Sequence, residues 1–198
     1  MRVRSKIPTR LPKTKKQILP WLFFVALALL LSSNLLPTEP TEVLGTNQPG
    51  FYSITSFDDG DTIQVDMNGT KEKVRMIGVD TPETHDPRKN VQCYGEVASQ
   101  YTKSTIGNSK VKLLADPTNQ NRDRYNRLLR YVYLEDGRLL NAELIKNGYG
   151  FAYTGFPFEK IDEFREYQRQ AQENNLGLWS SCTPTKNEFG GFTSNDAN

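Results

Sequence analysis

Asn68-Gly69 is the most restrictive pair of residues in this chain. It stands between two β-prone stretches: Thr62–Met67, whose Ile63, Val65 and Met67 alternate onto one face, and Lys71–Val79. A two-residue Asn-Gly loop supports the left-handed backbone that a tight hairpin needs, so it dictates which residues of the two strands lie opposite each other. The register that follows sets Thr62 opposite Arg75 and Asp61 opposite Met76. Asp61 and Arg75 are then diagonal neighbours across the ladder, and local geometry alone brings a carboxylate to a guanidinium.

The remaining periodicities extend this hairpin into a domain. Phe51–Phe57, Val111–Leu114 and Leu128–Leu134 read as further strands. Tyr94, Val97, Ala98, Tyr101 and Thr105 recur at helical spacing, Leu140–Lys146 reads as a short helix stopped at Asn147-Gly148, and a last helix is expected over about Pro157–Asn174, with Ile161, Phe164, Tyr167 and Ala171 inward. Five short strands interleaved with three helices predict an α+β fold with a mostly β core, a five-stranded OB-type β-barrel with the helices packed around it. Residues 50–182 are assigned to this domain, acting as a monomer. Pro37–Pro49 is rich in Pro, Thr and Glu and reads as a linker, and the polar stretch 183–198 as a disordered tail.

Ahead of the domain, residues 1–17 carry seven basic groups and no acid, and Ile18–Leu31 is a run of 14 uncharged residues. A basic flank followed by such a run is an export pattern. Residues 18–36 are therefore expected to be a signal anchor or signal peptide, leaving 1–17 cytoplasmic and the domain outside, membrane-held or secreted. From Val43 onward the chain has 18 basic and 21 acidic residues, a net of −3 beneath the overall +2. That excludes the broad basic surface of a protein gripping nucleic acid by bulk electrostatics, so any polyanion must be held locally. The two cysteines, Cys93 and Cys182, permit one bridge in an oxidising compartment or two unpaired thiols.

The densest polar cluster runs from DDGDT (Asp58–Thr62) through Arg75 to GVDTPET (Gly78–Thr84). Hard cations such as calcium take several oxygen ligands, and Asp61, Asp80 and Glu83 offer carboxylates. An EF-hand is excluded, because Gly69 at its sixth position would put Gln64 first and Arg75 twelfth. Zinc has no support, since His85 is the only histidine. Each motif also has an ordinary reading: Asp-Gly as a turn, Asp80–Glu83 as a turn entering a helix, Arg75 and Arg127 as solvated charges, Tyr125 and Tyr153 as packing residues.

The ordered blocks DGDT (Asp59–Thr62), RMIGVDTPE (Arg75–Glu83), CYGEVAS (Cys93–Ser99), DRYNR (Asp123–Arg127) and LGLWS (Leu176–Ser180) together resemble the staphylococcal-nuclease (thermonuclease) family over Phe51–Ser181. The resemblance implies a calcium-dependent phosphodiesterase acting on DNA and RNA, preferably single-stranded or fraying. It implies Asp61 and Asp80 as calcium ligands with the Thr81 carbonyl, Glu83 as general base, and Arg75 and Arg127 gripping the scissile phosphate. Arg124, Tyr125 and Tyr153 would line the substrate pocket. Exported relatives also carry a cysteine at the start of the first helix and another after the terminal Trp-Ser, which implies the bridge Cys93–Cys182.

Two positions depart from the family pattern. Asn126 stands where Gly is common before the arginine, and Gly155-Phe156 follow Tyr153 where a second tyrosine is usual. Asn is the non-glycine residue that best tolerates positive φ, so Arg127 can still be aimed. The rival to an active nuclease is a catalytically silent nucleic-acid-binding module, which would have lost one of Asp61, Arg75, Glu83 or Arg127. All are present.

Overall fold

A computed structural model describes residues 50–84, 90–187 and 191–197. Strands β1 (Phe51–Asp59), β2 (Thr62–Met67), β3 (Thr70–Met76), β5 (Val111–Leu114) and β6 (Leu128–Tyr133) form a closed barrel in the order β1-β2-β3-β6-β5. β2 and β3 pair antiparallel across Asn68-Gly69 with Thr62 opposite Arg75, and Asn68 takes the positive φ (57°) that the tight turn demands. β3 and β6 are parallel, Val74 facing Leu128. Alternation does the work in the hairpin: Ile63, Val65, Val74 and Met76 are fully buried, while Lys71 and Lys73 face solvent.

The expected third strand breaks at Ile77-Gly78 and resumes as β4 (Val79–Asp80), which leaves the barrel to pair with β7 (Phe151–Ala152). Helices α1 (Gly95–Ile106), α2 (Leu140–Lys146) and α3 (Ile161–Glu173) correspond to the three expected, and a single turn, α4 (Leu178–Ser181), follows. Helix α3 starts later than expected because Phe158–Lys160 forms a turn, Ile161 N–H donating to the Phe158 carbonyl at 3.2 Å. Of its four expected inward residues Phe164 and Ala171 are buried, and Ile161 and Tyr167 pack half-buried against the core.

The buried Asn141 on α2 stitches the barrel to its helices. Its Oδ1 accepts the Val132 N–H (2.8 Å), and its Nδ2 donates to the carbonyls of Ile77 (2.9 Å) and Arg130 (3.2 Å). Ile77 lies where β3 gives way to β4, and Arg130 and Val132 lie on β6 beside it. The amide serves the Val132 N–H and the Ile77 carbonyl, and is a second donor to the Arg130 carbonyl, which also accepts the Ile77 N–H at 3.0 Å.

The stretch 183–198, expected to be disordered, instead contributes β8 (Thr185–Lys186) paired with β9 (Phe192–Thr193). Phe192 packs on Phe151 and meets Trp179 edge-on, with centroids 6.1 and 5.1 Å away. One aromatic anchor and a series of backbone hydrogen bonds order a segment that has no apolar period. Cys93 and Cys182 are joined by a disulfide.

The expected membrane segment is corrected. Among the described residues no helix is long and apolar enough to cross a membrane. The longest helix among the described residues, α3, has 13 residues, about 20 Å, and is studded with charge. Residues 1–17, 18–36 and the linker 37–49 lie outside the described residues. The membrane as a partner, the single-pass topology and the cell-surface or secreted location have no support in the described residues.

Candidate active site

Arg75 is the centre of the polar cluster. It sits on β3 between the core residues Val74 and Met76, so its side chain leaves the barrel on the opposite face. There Nη1 lies 3.1 Å from Asp61 Oδ2 and Nη2 lies 2.7 Å from Asp80 Oδ1. Nη1 also donates to the carbonyls of Val79 (2.6 Å) and Met76 (3.1 Å), bracing the bend that turns β3 into β4. Burial disfavours the guanidinium's charge, but Asp61 and then Asp80 outweigh it, with smaller contributions from Tyr153 and Asp123, and the Arg75 pKa ends raised.

Asp61 is buried in the turn after β1 and held on both oxygens. Thr62 Oγ1 donates to Oδ1 at 2.9 Å, and the Thr81 N–H donates to Oδ2 at 2.7 Å. Asp80 is placed by β4, whose pairing with β7 sets it opposite Phe151; its side chain is far more exposed than that of Asp61. The same pairing brings in Tyr153, whose N–H donates to the Gly78 carbonyl at 2.8 Å and whose ring lies 5.9 Å from that of Phe156.

The loop before β6 supplies the second arginine. Asp123 Oδ1 accepts the N–H groups of Tyr125 and Arg127, both at 2.9 Å, and Oδ2 holds Arg127 Nε at 2.7 Å. Asn126 adopts φ 64°, the left-handed turn that lets Arg127 come back onto Asp123. Arg122 fixes the loop to β3 through a two-point pair with Glu72, at 2.8 and 3.0 Å. Tyr125 is exposed, with the guanidiniums of Arg124 and Arg127 at 4.8 and 5.4 Å from its ring. Asp123 was not singled out from the sequence, although its spacing of four residues from Arg127 was the available signal.

Glu83 follows Thr81 by two residues, and its Oε1 accepts the Thr84 N–H at 3.0 Å. Among the described residues no group of three or more His, Cys, Asp or Glu side chains is arranged as a metal site. Asp61 and Asp80 converge as a pair on Arg75. The pair still suits a hard cation in kind: both are oxygen donors, and both already turn toward one positive charge, that of Arg75.

A family model described as "Staphylococcal nuclease homologue" matches residues 73–181, more than half the chain. A thermonuclease of Staphylococcus hyicus is 39% identical over 171 residues, covering 84% of this chain and 99% of that protein. A thermonuclease of Staphylococcus intermedius is 41% identical, covering 65% of this chain and 75% of its own. Endonuclease YncB of Bacillus subtilis is 44% identical over 62% of this chain and 58% of its own length.

Proposed function

The chain belongs to the staphylococcal nuclease family, and from that membership and the cluster around Arg75 we propose that it is a calcium-dependent nuclease hydrolysing phosphodiester bonds of DNA and RNA. The observation that carries the reading is the convergence of Asp61 and Asp80 on Arg75, within electrostatic reach of the Asp123–Arg127 loop.

The Asp61 and Asp80 carboxylates and the Thr81 carbonyl are the groups that would hold calcium. A bound calcium ion supplies positive charge to the phosphate and to a water molecule. Arg75 and Arg127 grip non-bridging oxygens of the phosphate and offset charge that grows there as water attacks. Arg127 is suited to this because Asp123 occupies only its Nε, leaving its two Nη groups with no hydrogen-bond partner among the described residues. Arg75 differs in that its Nη groups are already engaged by Asp61 and Asp80, the same carboxylates that would hold the cation, and by the Val79 and Met76 carbonyls. Glu83 accepts the proton of the attacking water. Tyr125 and Tyr153, both exposed, line the nucleotide side with Arg124, and Phe156 widens the aromatic surface beside Tyr153.

Incubating the full-length chain with a single-stranded oligonucleotide tests this, with calcium and then with a chelator. Cleavage in calcium that stops in chelator is the expected result. Cleavage unchanged by chelator would sink the metal assignment, and binding without cleavage at every calcium concentration would leave a binding module.

A further inference from the structure

Glu83 and the C-terminal tail are joined through one residue, Gln92. Gln92 Oε1 accepts the Glu83 N–H at 2.8 Å, and the Gln92 N–H donates to the Glu83 carbonyl at 2.9 Å. Both polar groups of the Glu83 backbone thus end on the same residue. The other end of the Gln92 amide, Nε2, donates to Thr193 Oγ1 in β9 at 3.2 Å, and the Gln92 backbone forms a β-bridge with Asp196.

The flanking residues are secured by the tail as well. Cys93 N–H donates to the Asn195 carbonyl at 2.7 Å, Ala197 N–H to the Val91 carbonyl at 2.8 Å, and Ser194 Oγ to the Cys93 carbonyl at 3.0 Å. The disulfide ties Cys93 to Cys182, immediately before the tail. Gly95 completes the arrangement: a Cβ there would lie 3.0 Å from the Glu83 carbonyl oxygen and 2.7 Å from Thr84 Cγ2. The chain is pressed against the Glu83 backbone as closely as glycine allows.

We infer that Gln92 is a positioning residue for Glu83, and that the tail, through Thr193, holds Gln92 in place. The inference rests on the reading of Glu83 as the group that accepts the proton. A carboxylate on a short non-helical segment has no rigid element to aim it, and a misplacement of about 1 Å can cost roughly a hundredfold in rate. Here the rigidity comes from a segment more than a hundred residues later in the chain, reached through a single carboxamide.

The test measures kcat and KM of the full-length chain on a single-stranded oligonucleotide in calcium, with melting curves for each variant. Gln92→Ala is expected to lower kcat roughly tenfold or more while KM stays within about twofold. Thr193→Val should lower kcat by a smaller factor, and Thr193→Ser should restore it. In a Glu83→Gln chain, adding Gln92→Ala should lower kcat no further, because Gln92 acts only through Glu83. If Glu83→Gln alone leaves kcat intact, the proton-accepting role fails, and this inference with it. If Glu83→Gln lowers kcat but Gln92→Ala and Thr193→Val do not, or if Gln92→Ala costs the same with and without Glu83, the inference is overturned and the catalytic reading stands. Should Gln92→Ala melt below the assay temperature, Thr193→Val against Thr193→Ser decides.

Discussion

Asp123 grips Arg127 at two points, its Oδ1 accepting the Arg127 backbone N–H at 2.9 Å and its Oδ2 holding Nε at 2.7 Å. The arginine is oriented through its stem while the far side of its fork is left for a ligand. Arg127→Ala should therefore cost roughly a hundredfold or more in turnover, and no more than about 1 kcal/mol in stability, since the pair is partly solvated. Asp123→Asn keeps an acceptor but loses the charge, and should fall between Arg127→Ala and the parent in turnover. Oligonucleotide kinetics beside urea melts check both; parallel losses of activity and stability would make Arg127 structural.

Asn141 should matter to folding and little to chemistry. Asn141→Leu leaves the Val132 N–H and the Ile77 and Arg130 carbonyls with one partner fewer in the interior. The Arg130 carbonyl keeps the Ile77 N–H at 3.0 Å, so the expected loss is roughly 2 kcal/mol or more, at about 1 to 3 kcal/mol for each of the two buried groups left unpaired. Equilibrium denaturation reads it directly, and a variant as stable as the parent would mean that water or a shifted backbone takes over the bonds.

Acid should weaken the fold through two aspartates. Burial alone would raise the pKa of Asp116, but hydrogen bonds from Thr118, from the Tyr131 hydroxyl at 2.5 Å and from the Glu159 N–H more than reverse this, and it ends lowered. Asp123 is lowered in the same way, the bonds from Arg127 outweighing burial. A carboxyl with a depressed folded pKa binds protons more readily once unfolded. Its stabilisation is thus complete above the ordinary value of 3.8 and is lost as pH falls through the folded value. Urea melts should be insensitive to these two groups from about pH 5 to 7 and decline below about pH 4. Asp116→Asn should make that decline shallower; an unchanged slope would remove Asp116 from the account.

Reduction should loosen the domain. The Cys93–Cys182 bridge spans 89 positions, and opening a loop of that length is expected to cost about 2–5 kcal/mol. Melting curves with and without a thiol reductant measure it. An unchanged melting temperature would mean that the tail's hydrogen bonds and the packing of Phe192 already hold those ends together.

The site was unevenly legible in the sequence, and the unevenness follows sequence distance. Asn68-Gly69 announced its hairpin, and with it the approach of Arg75 to Asp61, because the geometry of a two-residue turn is local. Asp80 reaches Arg75 only through the bend at Ile77-Gly78 and the pairing of β4 with β7, which lies some seventy positions further on. Family resemblance named Asp80 only as a calcium ligand, and its contact with Arg75 left no trace in the periodicity. The tail gave no signal, because its order comes from Phe192 and from backbone bonds to residues 91–93, and neither leaves an apolar pattern. Gln92 was unreadable for a related reason: a side-chain amide that serves another residue's backbone has no characteristic spacing.

The parallel pairing of β3 with β6 acts as a ruler. Arg75 lies one place beyond Val74, and Arg127 one place before its partner Leu128, so the stagger of two strands sets the gap between the two cations. A slip by one residue would carry Arg127 about 3.3 Å along the barrel and turn alternate side chains inside out. The core can change its residues while the gauge stays true, provided their volumes keep that stagger. A wall whose visible task is to exclude water also sets the span between Arg75 and Arg127.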